Sequence, residues 1–342
     1  MDIPRRHIVK AGLGAGLLAG LMPWRAQGMM APSPATHLGP KEHGLGLPDA
    51  AEVIELWPQG VGAGRLREFP EVVTERSREP ATIHDRALHG ISTPRMAVFR
   101  PQKPNGAAVL ITPGGGYIRV VIDREGYELA QFLAQRGFTC FVLFYRLPGE
   151  GWASGPETSL IDAQRAIRLI RHRAATYGFD PAKVGTIGFS AGGHLCADLA
   201  ARFATTTYAA VDEADAQDTR PFCAAPIYPV VSMTPPLAHA GSRQQLLGDA
   251  PTPEMEALHS PHRQIPADAP PHFIVHAEDD PAVPVGNSLA LRDALKARGI
   301  KVETHLFERG GHGFGLRNAK GLPAEIWPQL WLNWARDKGL FA

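Results

Sequence analysis

Val184-Gly185-Thr186-Ile187-Gly188-Phe189-Ser190-Ala191-Gly192-Gly193-His194 is the stretch on which the fold of this 342-residue chain turns. Its first half, up to Phe189, is the short apolar run that a buried strand presents. From Ala191 to Phe203 the pattern becomes helical, so a strand passes directly into a helix with a serine at the junction. Glycines flank Ser190 because such a turn is strained and tight, and neighbouring side chains there would collide. The turn pushes the hydroxyl out of the sheet, and the helix start aims its open N–H groups at the same place. A serine that merely caps a helix is the plainer alternative. The strand–turn–helix setting favours an exposed nucleophile.

The alternation repeats on both sides of this stretch. Ala107–Ile111 reads as a buried strand, Arg124–Arg136 as an amphipathic helix and Phe138–Tyr145 as the next strand. Pro156–Tyr177 reads as a longer helix with Leu160, Ala163, Ile167 and Ile170 on one face. After the serine come strands at Phe222–Tyr228, Phe273–His276 and Ile300–Phe307, with helices at Ser288–Arg298 and Pro323–Asp337. Val53–Trp57 and Met96–Phe99 look like short edge strands, the second bracketed by Pro94 and Pro101. The pattern predicts an α/β protein, a mostly parallel central sheet flanked by helices on both faces. Two stretches interrupt it: a polar, acidic insertion at Thr205–Thr219, and Pro235–Pro270, where short helical signals lie among many prolines. A small lid over the site and a plain surface excursion both fit the second.

A serine nucleophile needs a base, an acid behind the base and donors for a developing oxyanion. Among 14 histidines, His312 lies in Gly310-Gly311-His312-Gly313-Phe314, a glycine-rich loop between the last strand and the closing helix. Those glycines let a loop bring the imidazole over the serine. His276 ends a strand and His194 lies one turn into the helix after Ser190; both read as structural. Glu278, Asp279 and Asp280 all follow the strand Phe273–His276, the expected place for the acid in the order serine, acid, histidine. Pro113-Gly114-Gly115-Gly116-Tyr117 follows the strand Ala107–Ile111. Its glycines admit backbone N–H groups where a Cβ would crowd an oxyanion, so the N–H groups of Gly115, Gly116 and Ala191 are assigned to the hole. No lysine follows the glycines, which argues against a phosphate cradle. Tyr117 and Trp152 are the candidate substrate-binding residues, either stacking on a sugar ring or walling an acyl pocket.

As a set, Pro113–Tyr117, Tyr145-Arg146-Leu147-Pro148, Asp162-Ala163-Gln164-Arg165-Ala166, Gly188–His194, Asp280-Pro281-Ala282-Val283-Pro284 and Gly310–Phe314 are specific. From about Val53 to the C-terminus the chain resembles the bacterial acetyl-xylan-esterase-like and feruloyl-esterase-like α/β-hydrolases. The resemblance implies the α/β-hydrolase fold with a small lid-like insertion, and a triad of Ser190, His312 and an acid. The match at Asp280–Pro284 selects Asp280 as that acid over its neighbour Asp279. It further implies removal of acetyl groups from carbohydrate such as xylan fragments, with no metal and no organic cofactor. Another small-acyl carboxylesterase or a lipase-like enzyme is the alternative. A serine peptidase of the prolyl-oligopeptidase kind fits less well, because the roughly sixty residues before the sheet are too few for a propeller.

Composition sets the remaining bounds. Charged residues make up 20% and the net charge is +1, so nothing marks a nucleic-acid or anionic-membrane surface; neutral or weakly charged substrates fit better, and the resemblance implies an acylated carbohydrate or small ester. Three cysteines, Cys140, Cys196 and Cys223, sit in apolar runs and read as buried thiols rather than a disulfide framework. Arg5-Arg6 precedes the apolar, glycine-rich run Ala11–Met22 and a small-residue boundary near Ala26-Gln27-Gly28. This reads as a twin-arginine export signal over residues 1–28, with an N-terminal anchor as the alternative. A Pro/Gly/Ala-rich linker over 29–50 and one catalytic domain over 51–342 follow. The expected location is periplasmic or secreted, with no stable membrane insertion of the mature protein.

Overall fold

The computed structural model describes residue 50 and residues 52–342, apart from 62, 63, 65 and 68. The expected leader and all but the last residue of the expected linker lie outside these. In chain order the strands are β1 (Glu52–Glu55), β2 (Val72–Glu75), β3 (Arg86–His89), β4 (Arg95–Phe99), β5 (Ala108–Thr112), β6 (Val120–Val121), β7 (Thr139–Phe144), β8 (Val184–Phe189), β9 (Ala224–Ile227), β10 (His272–Ala277) and β11 (Val302–Phe307). Eight of them form one sheet in the order β1-β4-β7-β5-β8-β9-β10-β11. From β7 to β11 every pairing is parallel, while β1 and β4 join antiparallel at the edge. β5, β7, β8 and β10 are buried at every residue, which is why they read as unbroken apolar runs.

The helices are α1 (Glu128–Ala134), α2 (Thr158–His172), α3 (Ala174–Tyr177), α4 (Ser190–Arg202), α5 (Ala240–Leu247), α6 (Pro253–Leu258), α7 (Gly286–Ala297) and α8 (Trp327–Asp337). Two expected helices are divided. Asp123–Tyr127 is a π-helical turn, closed by the Tyr127 N–H on the Ile122 carbonyl at 2.7 Å, and only then does α1 begin. The long helix breaks at Arg173, and α3 ends on Gly178 at φ +73°. Residues 72–121 also hold a small sheet, β2-β3-β6, that the sequence pattern does not announce.

β7 lies on one side of β5 and β8 on the other, so the chain reverses its direction of winding between β5 and β8. A crevice opens outside the carboxyl ends of parallel strands at such a point. The glycine loop after β5 and Ser190 after β8 both stand there. The edge beside it is pinned by a buried ion pair. Arg146 donates from Nη2 to Asp162 Oδ1 at 2.7 Å, and Trp57 Nε1 donates to the same oxygen at 2.9 Å. All three cysteines are free and buried, and burial pushes the Cys196 thiol up to about 12. The 205–219 insertion lies on α2, where Arg165 pairs with Asp212 and Asp215. In the 235–270 insertion, Asn287 Nδ2 donates to the Leu237 carbonyl at 2.8 Å, and α5 packs on the Pro148–Glu150 turn. Among the described residues no helix is long and apolar enough to cross a membrane.

Candidate active site

Ser190 opens α4 at φ +53°, the left-handed region that a residue with a Cβ avoids. Strain of this kind costs about 1–3 kcal/mol and persists only where the surroundings over-determine it. Here they do. The Ser190 carbonyl accepts the Val230 N–H at 3.1 Å, and Thr112 Oγ1 donates to the Gly192 carbonyl at 2.8 Å. The end of β5 passes so close that a Cβ on Gly192 would run into the Thr112 and Pro113 carbonyl oxygens. Glycine at this position is therefore a packing requirement.

Ser190 Oγ lies 2.8 Å from His312 Nε2, and His312 Nδ1 lies 2.7 Å from Asp280 Oδ2. A carboxylate can only accept, so Nδ1 carries the imidazole proton and Nε2 is left to accept from the serine hydroxyl. The histidine side chain is 22% exposed and the Asp280 side chain is fully buried. Asp280 Oδ1 also accepts the N–H groups of Ala282 and Val283, at 2.8 and 2.9 Å. Burial alone would raise the Asp280 pKa, but hydrogen bonds from His276 and His312 outweigh it and hold the carboxyl well below the usual carboxylate range. Asp279 does different work: its Oδ1 accepts the N–H groups of Gly310 and Gly311 at 2.9 and 2.8 Å and so anchors the histidine loop. The structure thus puts Asp280, and not Asp279, on the imidazole.

His276 has a part that its place at a strand end did not reveal. Its Nε2 is 3.0 Å from the Val283 carbonyl and 3.2 Å from Asp280 Oδ2, and its Nδ1 is 2.7 Å from Ser288 Oγ. It steadies the acid from behind. His239, on the 235–270 insertion, borders the site: burial and the nearby His312 lower its pKa, while Asp280 raises it.

The glycine loop is fixed along its length. Tyr145 Oη donates to the Pro113 carbonyl at 2.7 Å, the Gly114 N–H donates to Glu125 at 2.9 Å, and the Gly115 carbonyl accepts the Ile118 N–H at 3.1 Å. A Cβ on Gly114 would lie 2.9 Å from the Ser190 Cβ, so the loop abuts Ser190. Among the described residues, no hydrogen bond engages the N–H of Gly115, Gly116 or Ala191. Donors held this way need no reorganisation when charge develops.

One of the two readings of Tyr117 and Trp152 is corrected. Tyr117 is 1% exposed and Trp152 is 3% exposed, so neither offers a face on which a sugar could stack. Tyr117, at φ +60°, turns its ring inward, and its hydroxyl meets His194 Nδ1 at 2.7 Å. His194 Nε2 donates to the His259 carbonyl at 2.8 Å, and burial pushes this imidazole down to about 4. Tyr117 therefore braces the glycine loop against α4. Trp152 packs under the Arg146 guanidinium, 5.0 Å from its ring centre.

A parallel sheet with its winding reversal between β5 and β8, a strained serine there, and a histidine and carboxylate arriving from the last two strands define an α/β-hydrolase fold. The family model described as BD-FAE matches residues 96–295, over half of the chain, and the chain belongs to that family. It is 36% identical over 260 residues to endo-1,4-beta-xylanase B of Butyrivibrio fibrisolvens, covering 76% of this chain and 40% of that protein. It is 30% identical to the acetylxylan esterase of Xylanibacter ruminicola, covering 65% of this chain and 44% of that one. The chain thus spans less than half the length of either relative. The solved acetyl ester-xyloside bifunctional hydrolase from Caldicellulosiruptor lactoaceticus superimposes with a TM-score of 0.70 at 29% identity, covering 86% of this chain and 98% of that one.

Proposed function

We propose that this protein is a serine esterase that removes acyl groups, acetyl above all, from carbohydrate such as xylan fragments. The observation that carries the proposal is the unbroken hydrogen-bond chain Ser190–His312–Asp280 beside a loop of unengaged backbone donors. In this mechanism His312 takes the Ser190 proton as Oγ attacks the ester carbonyl. The oxyanion rests on the N–H groups of Gly115, Gly116 and Ala191, and the imidazolium is steadied by Asp280. His312 then protonates the leaving sugar oxygen, and water repeats the cycle on the acyl-enzyme. The preference for an acetylated sugar draws support from two similar proteins whose names specify acetylxylan and acetyl ester-xyloside substrates. The paired arginines and apolar run at the N-terminus support export by the twin-arginine route to the periplasm or beyond.

Acetate release from acetylated xylan, set against chromogenic esters of increasing acyl length, tests the substrate. The expected result is a maximum at acetyl and faster turnover on acetylated xylan fragments than on a simple alkyl acetate. A rate that climbs with chain length points instead to a lipase-like enzyme. Activity on short esters is also expected to be untouched by chelator, because the serine, histidine and carboxylate supply the whole mechanism. Loss in chelator reversed by added metal goes against it.

A further inference from the structure

Glu125 is 3% exposed and sits in the π-helical turn Asp123–Tyr127. Its Oε2 accepts the Gly114 N–H at 2.9 Å, and its Oε1 accepts the Tyr228 hydroxyl at 3.0 Å. The same hydroxyl accepts the Gly315 N–H at 3.1 Å, and the Tyr228 ring stands edge-on to the His312 imidazole with centroids 5.1 Å apart. One carboxylate therefore grips the oxyanion loop directly and, through one phenol, the loop that carries the base. Tyr228 is held at φ +36° to reach this position. Burial, with Glu125 beside it, pushes the phenol pKa well up, so the hydroxyl stays a donor.

These two loops leave strands far apart in the sheet. One follows β5 and the other follows β11, with β8, β9 and β10 between them in the sheet. The reaction needs both at once, since oxyanion donors and base act on a single tetrahedral centre. A misplacement of about 1 Å at such a centre costs about 10²-fold in rate. We propose that Glu125 and Tyr228 form a positioning pair that sets the distance between the oxyanion loop and His312. This rests on the esterase reading, and it adds two residues that act through others and touch no reacting atom.

Glu125→Gln is the first test, because glutamine keeps the shape but turns one oxygen into a donor. Facing Gly114, the new amino group leaves that N–H without an acceptor; facing Tyr228, it makes a hydroxyl that already accepts the Gly315 N–H take a second donor and leaves the phenol proton without its acceptor. The expected result is a kcat lower by about 10²-fold with KM within about threefold. Affinity for a boronic acid, which forms a tetrahedral adduct on the serine, should fall by the same factor as kcat/KM. Tyr228→Phe should lose a comparable amount, and the double variant should fall no further than the worse single one, as for residues acting as a unit. If Glu125→Gln does not fold, Tyr228→Phe carries the test with the same expected loss. Unchanged kcat and boronate affinity per folded molecule overturn the proposal, even with a lowered Tm, and so do losses that simply add. Wild-type hydrolysis of 4-nitrophenyl acetate is the reference. Its absence overturns the esterase reading, whereas its presence with an unimpaired Glu125→Gln overturns the positioning role alone.

Discussion

Ser190→Ala is expected to lower kcat for ester hydrolysis by about 10⁶-fold, the usual cost of removing the nucleophile from a serine–histidine pair. The size follows from what remains. Without Oγ no acyl-enzyme forms, and catalysis is left to backbone donors that no longer have a covalent oxyanion to hold. The fold should be indifferent. The strained backbone at Ser190 is fixed by the Val230 N–H, by Thr112 on Gly192 and by the close passage of β5, none of which uses the hydroxyl. Steady-state kinetics on 4-nitrophenyl acetate with matched circular dichroism spectra check it. Activity within about tenfold of wild type on an unchanged spectrum would remove Ser190 from the mechanism.

The parts of this molecule visible in its sequence are those where physics leaves few choices. A strand buried on both faces must be apolar throughout, so β5, β7, β8 and β10 stand out. The turn at Ser190 admits no Cβ at Gly192, so the tight strand-to-helix turn announces itself through its glycines. The small sheet was illegible for the opposite reason. β2 and β3 have four residues each, include Glu75 and Arg86, and rely on distant partners such as Asp123, which binds Arg86 at 2.8 Å. Tyr117 shows a different limit. An aromatic residue after a glycine run suggests a binding face, but its left-handed backbone sends the ring into the core. His276, Glu125 and Tyr228 carry no local pattern at all. Their roles arise where separate loops meet, and sequence spacing does not encode that meeting.

The carboxylate pair shows how far geometry goes beyond spacing, and it sets the second large effect. Asp280→Asn is expected to lower kcat by about 10⁴-fold with KM little changed. The replacement amide has only one orientation open to it. Oδ1 must keep accepting the N–H groups of Ala282 and Val283, so the new amino group takes the place of Oδ2. There it meets His312 Nδ1 at 2.7 Å and His276 Nε2 at 3.2 Å, both of which now donate. His276 keeps its proton because the Val283 carbonyl also requires it. His312 has no such second acceptor at Nδ1, so its proton moves to Nε2, the atom that must take the serine proton. The base is thereby placed in the wrong tautomer while the site keeps its shape. Asp279→Asn differs in kind. An asparagine oxygen still accepts the Gly310 and Gly311 N–H groups, more weakly than a carboxylate oxygen but in the same place, so the histidine loop stays anchored and the loss should not exceed about tenfold. Both variants belong in one buffer at one pH, with kcat and Tm measured side by side. A crippled Asp279→Asn beside a near-normal Asp280→Asn would overturn the assignment of Asp280 to the imidazole.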